Sequence, residues 1–391
     1  MNIIISGCGK IGLTIIESLV NEGHDVTAID ANSQVIEETT NIIDIIGVCG
    51  NCTDCDTLKQ SRVEDAELFV AVTGSDETNM LSCFLAKKMG AKHTIARIRN
   101  PEYNYQSLVF LRQQLDLSMA INPEMLAAQE LYNILKFPSA EKIEHFSRRN
   151  FEMIEITLKP DSALDGMSLI QMREKYSAKV LVCAVHRGDE VFIPNGSFVL
   201  KGGDKIGITA TSIEILKLFK ELNVYQKQAK DIMILGGSRI AYYLSKMLIS
   251  AGSSVKIIDK DAEVCKRFCD GLPKSRVVLG DGTQQELLLE EGIKDTSAFI
   301  SLTGIDEQNI LMSVLAKNLN VPKVIAKINR DEMLELADNL GLDTVISPKK
   351  IVSDVLVRYA RALRNSLGSN IETLYHLMDD RVEAIEFLVT D

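Results

Sequence analysis

The sequence predicts an α/β protein with two doubly wound parallel sheets, the first followed by a small α+β module and the second by the start of another. Three observations predict it. A glycine-rich passage occurs twice: IIISGCGKIG, with Gly7, Gly9 and Gly12, returns as MILGGSRIA, with Gly236, Ser238 and Ala241, at an offset of 229 from Gly7 to Gly236. The likeness continues beyond the glycines, with Asp30 against Asp259 and VTGSDETN (from Val72) against LTGIDEQN (from Leu302). Duplication followed by divergence is the economical reading. Within each copy, short β-branched runs alternate with amphipathic stretches, the pattern of βαβ units around a parallel sheet.

Taken in order, residues 3–6, 26–30, 68–73 and 94–99 read as strands, with a further strand pattern closing at Gly50 and Asn51. Residues 10–22 form a helix with Ile11, Ile15, Leu19 and Val20 on one face, and 77–89 place Met80, Leu81, Phe84 and Leu85 similarly. Asn122 and Pro123 supply an N-cap and a proline at the first helical position, opening a helix that runs to residue 136. These elements make residues 1–136 a Rossmann-like domain. A polar stretch, 139–150, leads into strand patterns at 151–158, 180–185 and 206–209 with the segment 162–172 between them. Together, 137–222 read as a small α+β module, too short to be a catalytic domain of its own. Residues 223–230, rich in Gln and Lys, link to the second Rossmann-like copy, 231–377. The final VEAIEFLVTD resembles MIEITLKPD of the small module, with Glu386 against Glu155. Residues 378–391 therefore read as the start of a second small module in a chain that is naturally truncated or shortened.

The first glycine turn carries binding chemistry. Gly7 permits the tight strand-to-helix turn, Gly9 lets the backbone approach a pyrophosphate, and Gly12 allows close helix–strand packing. Asp30, at the end of the next strand, is placed to bind ribose hydroxyls, which favours NAD over NADP and leaves ATP or ADP open. Asn51, Thr73, Gly74 and Arg97 lie at further strand ends facing the same crevice. Thr73 is read as a nucleotide contact or a helix cap, and Arg97 as a phosphate partner or a surface ion pair. In the second copy Ser238 and Ala241 add bulk at the second and third glycine positions. Gly236, Gly237, Asp259, Asp281 and Thr303 remain, with Lys327 in the place of Arg97. That copy is read either as a second site or as a scaffold.

Other motifs carry less. Cys49, Cys52 and Cys55 form CxxCxxC, but Leu279, Gly282 and Gln285 replace them in the second copy and no fourth cysteine follows at ferredoxin-like spacing. Incidental loop thiols are the reading, with a redox sensor or soft-metal site as the alternative, and no metal ligands are assigned. Cys265 and Cys269 read as half-buried helix residues. The five histidines, His24, His93, His145, His186 and His376, are scattered without a companion carboxylate, and solvent-facing or satisfied rings are expected. No catalytic residue is assigned. The net charge of −11 and pI near 5.2 argue against nucleic acid. With no stretch near the roughly 18 apolar residues of a membrane span and no signal-like start, a soluble cytoplasmic chain is expected. Eight cysteines in that setting read as reduced thiols.

The ordered set of GCGKIG, Asp30, GNCTD at 50–54, VTGSDETN and ARI at 96–98, followed by the small module and then another such unit, resembles the regulators of potassium conductance. Within them it is most similar to the cytoplasmic regulatory subunits of Trk potassium-uptake systems. The resemblance spans essentially the whole chain. It implies NAD(H), with ATP or ADP as alternatives, acting as an effector rather than a redox substrate. It implies a homo-oligomeric, usually tetrameric, ring beneath a membrane-embedded potassium-translocating subunit. The family's nucleotide positions fall on Gly7, Cys8, Gly9, Lys10 and Ile11, then Asp30, Thr73, Gly74 and Arg97, and in the second copy on Gly236, Gly237, Ser238, Arg239, Ile240 and Asp259. The rival readings are an NAD-dependent oxidoreductase and a nucleotide-independent scaffold.

Overall fold

The computed structural model describes residues 1–391 apart from 101, 102, 104, 137–141, 146–150, 189, 224–228, 343, 366–370, 379–381 and 388–391. The first half begins with the apolar β-branched run of β1 (Asn2–Ser6) and continues through α1 (Lys10–Asn21), β2 (Asp25–Asp30), α2 (Ser33–Ile42), β3 (Ile46–Cys49) and α3 (Cys55–Gln60). It then adds β4 (Leu68–Ala71), α4 (Asp76–Lys88), β5 (His93–Arg97), α5 (Tyr105–Gln114), β6 (Met119–Ile121) and α6 (Pro123–Lys136). All six strands are parallel, in the order β3-β2-β1-β4-β5-β6. The order reverses between β1 and β4, so a crevice opens beyond their carboxyl ends.

Local differences from the sequence reading have local causes. Strand β4 stops at Ala71 because Thr73 turns away onto a side chain of α4. Leu81 is exposed, since α4 buries Asn79, Met80, Cys83 and Ala86 instead. Neither α5 nor the three-residue β6 was expected.

The small module contains β7 (Lys142–His145), β8 (Phe151–Thr157), α7 (Leu169–Lys175), β9 (Leu181–Arg187), β10 (Glu190–Phe192), β11 (Lys205–Thr211) and α8 (Ser212–Glu221). Its antiparallel sheet runs β10-β9-β11-β8-β7 over a core of Ile154, Val182, Ile206, Ile208, Leu218 and Phe219. The stretch read as polar contains the strand β7, although 139–141 and 146–150 lie outside the described residues. Helix α7 starts within the segment 162–172, where Ser168 and Gln171 form a reciprocal capping box.

The second half repeats the first: β12 (Asp231–Leu235), α9 (Arg239–Ser250), β13 (Ser254–Asp259), α10 (Ala262–Gly271), β14 (Arg276–Leu279), α11 (Gln285–Glu290), β15 (Ala298–Ser301), α12 (Asp306–Asn318), β16 (Lys323–Lys327), α13 (Glu332–Asn339), β17 (Val345–Ile346) and α14 (Pro348–Asn365). The strand order β14-β13-β12-β15-β16-β17 is the same. Most of the linker, 224–228, lies outside the described residues.

A final hairpin, β18 (Ile371–Leu377) and β19 (Val382–Phe387), returns to the small module. The backbone N–H of Met378 donates to the buried carboxylate of Glu155 over 2.9 Å. The fully buried Met378 side chain sits above Gly207, where a Cβ would stand 3.0 Å from its terminal methyl. The Glu386 side chain lies outside the described residues.

The two halves exchange helices. Ala127, Ala128, Leu131 and Leu135 of α6 leave the first sheet and enter the core of the second, beside Ile232, Ile240 and Leu244. Reciprocally, Val352, Leu356 and Ala360 of α14 enter the first core beside Ile3, Ile15 and Leu19. Polar contacts fix the register: Arg361 pairs with Glu22, and the Ser353 hydroxyl donates to the carbonyl of Thr14. One histidine departs from expectation at this junction. His24 is buried, with neither ring nitrogen partnered among the described residues, and burial followed by the N-terminal ammonium and Arg364 lowers its pKa.

Because each half lends a helix to the other, a core substitution in one should be felt in the other. Leu356→Ala removes a fully buried side chain from α14 and should cost about 3 kcal/mol of stability. Hydrogen exchange should quicken in β1 and α1 of the first half, more than 300 residues away in the sequence. Confinement of the change to residues after 230 would show that the exchange is not structural.

Candidate functional site

Strand β1 delivers the chain into Gly7, whose φ of +98° and contact with Thr73 admit no side chain: a Cβ there would lie 2.8 Å from the Thr73 nitrogen. Gly12 is tighter still, since its Cβ would overlap the Gly7 carbonyl. Gly9 has open space around it and begins α1 without any side-chain cap. The first N–H groups of a twelve-residue helix therefore point into the crevice with no side-chain cap over them, an arrangement that attracts anions.

Asp30 closes the other side of the turn. Its carboxylate accepts from the backbone N–H of Cys8 over 2.8 Å and of Asn32 over 2.9 Å, which aims the acid across the end of β2. The Cys8 thiol itself turns inward toward the Ile29 carbonyl, and burial, with Asp30 nearby, pushes its pKa up to about 12. Asn51 is fixed by accepting from the N–H and hydroxyl of Thr53. Thr73 is not a helix cap, because Ser75 caps α4 through the N–H of Thr78. Arg97 is no surface ion pair either: it is buried, and its guanidinium donates to the Thr73 carbonyl. Burial, then the neighbouring Arg99, lowers its pKa.

These residues line one cleft of about 940 Å³ that both halves enclose. Gly7, Gly9, Lys10, Ile11, Asp30, Asn51, Thr73, Gly74 and Arg97 all face it, whereas Cys8 and Gly12 lie behind the turn. From the second half come Ser238, Arg239 and Ile240, while Gly236, Gly237 and Asp259 stay outside. The second turn thus supplies a wall to the first cleft. Its own helix terminus is closed, since the Ser238 hydroxyl caps α9 by accepting from the N–H of Ala241.

Several lining residues carried no assignment in the sequence. Glu124, at the start of α6, pairs with Arg99 over 2.8 Å, and Lys349 holds the matching place at the start of α14, paired with Asp331. The signal was present: each follows a proline, Pro123 or Pro348, at corresponding points of the repeat. Lys327 is buried in the opposite wall, its pKa lowered by desolvation against the pull of Asp306 and Glu124. The cleft consequently gathers Lys10, Arg97, Arg99, Arg239, Lys327 and Lys349 against Asp30 and Glu124. In a chain of net charge −11, this local reversal of sign suits a polyanion bound along one face of a carboxylate.

The TrkA-N domain family matches residues 3–123 and again 232–348, and the TrkA-C domain family matches 153–223. The chain belongs to the TrkA family. It is 32% identical over 374 residues to the Trk system potassium uptake protein TrkA homolog of Archaeoglobus fulgidus, covering 95% of this chain and 84% of that protein. The Trk system potassium uptake protein TrkA of Haemophilus influenzae is 30% identical over 388 residues, covering 98% of this chain and 84% of its own length. Among solved structures, the GsuK RCK domain superposes with a TM-score of 0.70 at 19% identity, over 96% of this chain and 79% of that one. The GsuK channel bound to NAD gives 0.71 at 20% identity, over 93% and 64%. At that level of identity the likeness is one of fold, and this TrkA-family chain shares its two-sheet architecture.

All eight cysteines are free thiols, and among the described residues no three His, Cys, Asp or Glu groups converge to hold a metal. Cys52 lines the cleft but is buried, while Cys49 and Cys55 are exposed. A thiol reagent applied to the folded chain at about pH 8 should modify Cys49, Cys55 and Cys269 and spare Cys8 and Cys83, whose pKa values are raised by burial. Mass spectrometry of the labelled peptides reads the outcome; rapid modification of Cys8 would mean that the glycine turn is open.

Proposed function

We propose that this chain is the nucleotide-sensing regulatory subunit of a Trk-type potassium-uptake system. NAD(H), or ATP or ADP, occupies the shared cleft, with its pyrophosphate at the uncapped start of α1 and a ribose on Asp30. The single observation that carries this reading is the contrast between the two turns: α1 begins at a bare Gly9, whereas Ser238 closes α9. The names of the TrkA relatives support the potassium-uptake role, and neighbours of the same fold described as bound to NAD and to ADP support the ligand class.

The nucleotide acts as an effector. Binding that differs in strength between two arrangements of the halves shifts their populations, and the shift gates a membrane-embedded potassium-translocating subunit. Several copies of the chain assemble as a ring, with four the expected number, on the inner face of the membrane. No described helix is long and apolar enough to cross a membrane itself, so attachment runs through that partner. A non-enzymatic role is favoured by the cleft lining, which includes no histidine and whose two acids, Asp30 and Glu124, are already engaged by N–H donors. The boundaries 1–136, 137–222, 231–377 and 378–391 belong to this proposal as its functional units.

Calorimetric titration with NAD, NADH, ATP and ADP tests the ligand class. Asp30→Ala should weaken binding by about 10- to 100-fold, the scale of a lost hydrogen bond to a charged group. Absence of binding by every adenine nucleotide, or an Asp30→Ala variant with undiminished affinity, would overturn the reading.

A further inference from the structure

We infer that Asn79, which does not line the cleft, is a positioning residue that sets Thr73 and Arg97 and so tunes the cleft for nucleotides bearing phosphate; the inference rests on the nucleotide reading above. Asn79 lies in the first turn of α4 and is completely buried. Its Oδ1 accepts from the Thr73 N–H over 2.8 Å and from the Thr73 hydroxyl over 2.7 Å. Its Nδ2 donates to the Arg97 carbonyl over 2.9 Å and to the Thr73 carbonyl over 3.4 Å. Both amide hydrogens and both lone pairs are thereby used, which leaves the side chain one orientation.

Those four bonds converge on the phosphate side of the cleft. The Thr73 carbonyl also receives the Arg97 guanidinium, and the Thr73 backbone is in contact with Gly7. One amide therefore ties together the loop after β4, the end of β5 and the neighbour of the glycine turn. Asp76, three residues earlier on the same helix, extends the support by accepting from the N–H groups of Arg99 and Asn100, each over 2.8 Å. The second half builds the same device on the facing wall: Asn309 holds Thr303 and the Lys327 carbonyl, and Asp306 holds Asn329 and Arg330. Lys327 and Asn329 line the cleft. Asp30, on β2 at the other side of β1, meets the turn only through the N–H of Cys8 and makes no bond with Asn79, so the grip on the ribose does not depend on Asn79 directly.

That separation supplies the test. Full-length wild-type chain, Asn79→Ala and Asn79→Thr are titrated with ADP, with NAD and with adenosine, after a cooperative thermal melt has shown each to be folded. Threonine retains most of the side-chain volume and a polar atom but has one donor instead of two, so it is informative even where alanine prevents folding. Affinity for ADP and NAD should fall about tenfold, the scale of one lost hydrogen bond, while adenosine affinity stays unchanged. Unchanged ADP affinity in a folded variant overturns the inference, as does an equal loss for adenosine, which would mark Asn79 as merely structural. Wild-type chain that binds none of the three would overturn the nucleotide reading itself, a failure visible before any variant is made.

Discussion

The structure depends on the exchange of α6 and α14. Each helix starts at the cleft, with Pro123 and Glu124 on one side and Pro348 and Lys349 on the other, and then buries its apolar face in the opposite half. Leu131 and Leu356 are fully buried by this crossing, each at a site where loss of the side chain costs several kcal/mol. The halves cannot separate without exposing both faces. Their two carboxyl ends are consequently held against each other, and the space between them is a single enclosure with walls from both copies.

Within that enclosure the duplicated turns have diverged in a physically legible way. A helix N-terminus needs partners for its first N–H groups, and either a side chain or a ligand can supply them. In the second half Ser238 does so internally; in the first, Gly9 provides no side-chain cap, the opening that the proposed anion would fill. The charged residues of the second half that line the cleft are all cations: Arg239, Lys327 and Lys349 lie where the first half has Lys10, Arg97 and Glu124. Replacement of an acid by Lys349 at the corresponding point tilts the balance toward a polyanion. The second copy contributes Ser238, Arg239, Ile240, Lys327 and Lys349 as a wall of the cleft that the first copy opens.

Much of this was legible in the sequence. The doubled GxGxxG-like passage and the alternation of β-branched and amphipathic runs gave both parallel sheets, because turn chemistry and periodicity are local properties. The lining residues Gly7, Gly9, Asp30, Thr73 and Arg97 followed from the rule that ligands lie beyond strand carboxyl ends. What escaped was non-local. Nothing in residues 123–136 announces that their apolar face serves the other half, so the second copy stayed open between a second site and a scaffold. Leu81 has the apolar character of a core residue yet faces outward, and His24 is buried without a hydrogen-bond partner among the described residues, because tertiary packing decided both. Asn79 sat within the repeated VTGSDETN, but its role requires the three-dimensional closeness of Thr73 and Arg97.

Hydrogen exchange measured with and without ADP tests most directly whether one bound nucleotide engages both halves. Protection should appear together in the glycine turn at residues 7–12 and in the facing wall around residues 239–240 and 327–329. Protection confined to the first half, or absent from both, would contradict a cleft shared between them.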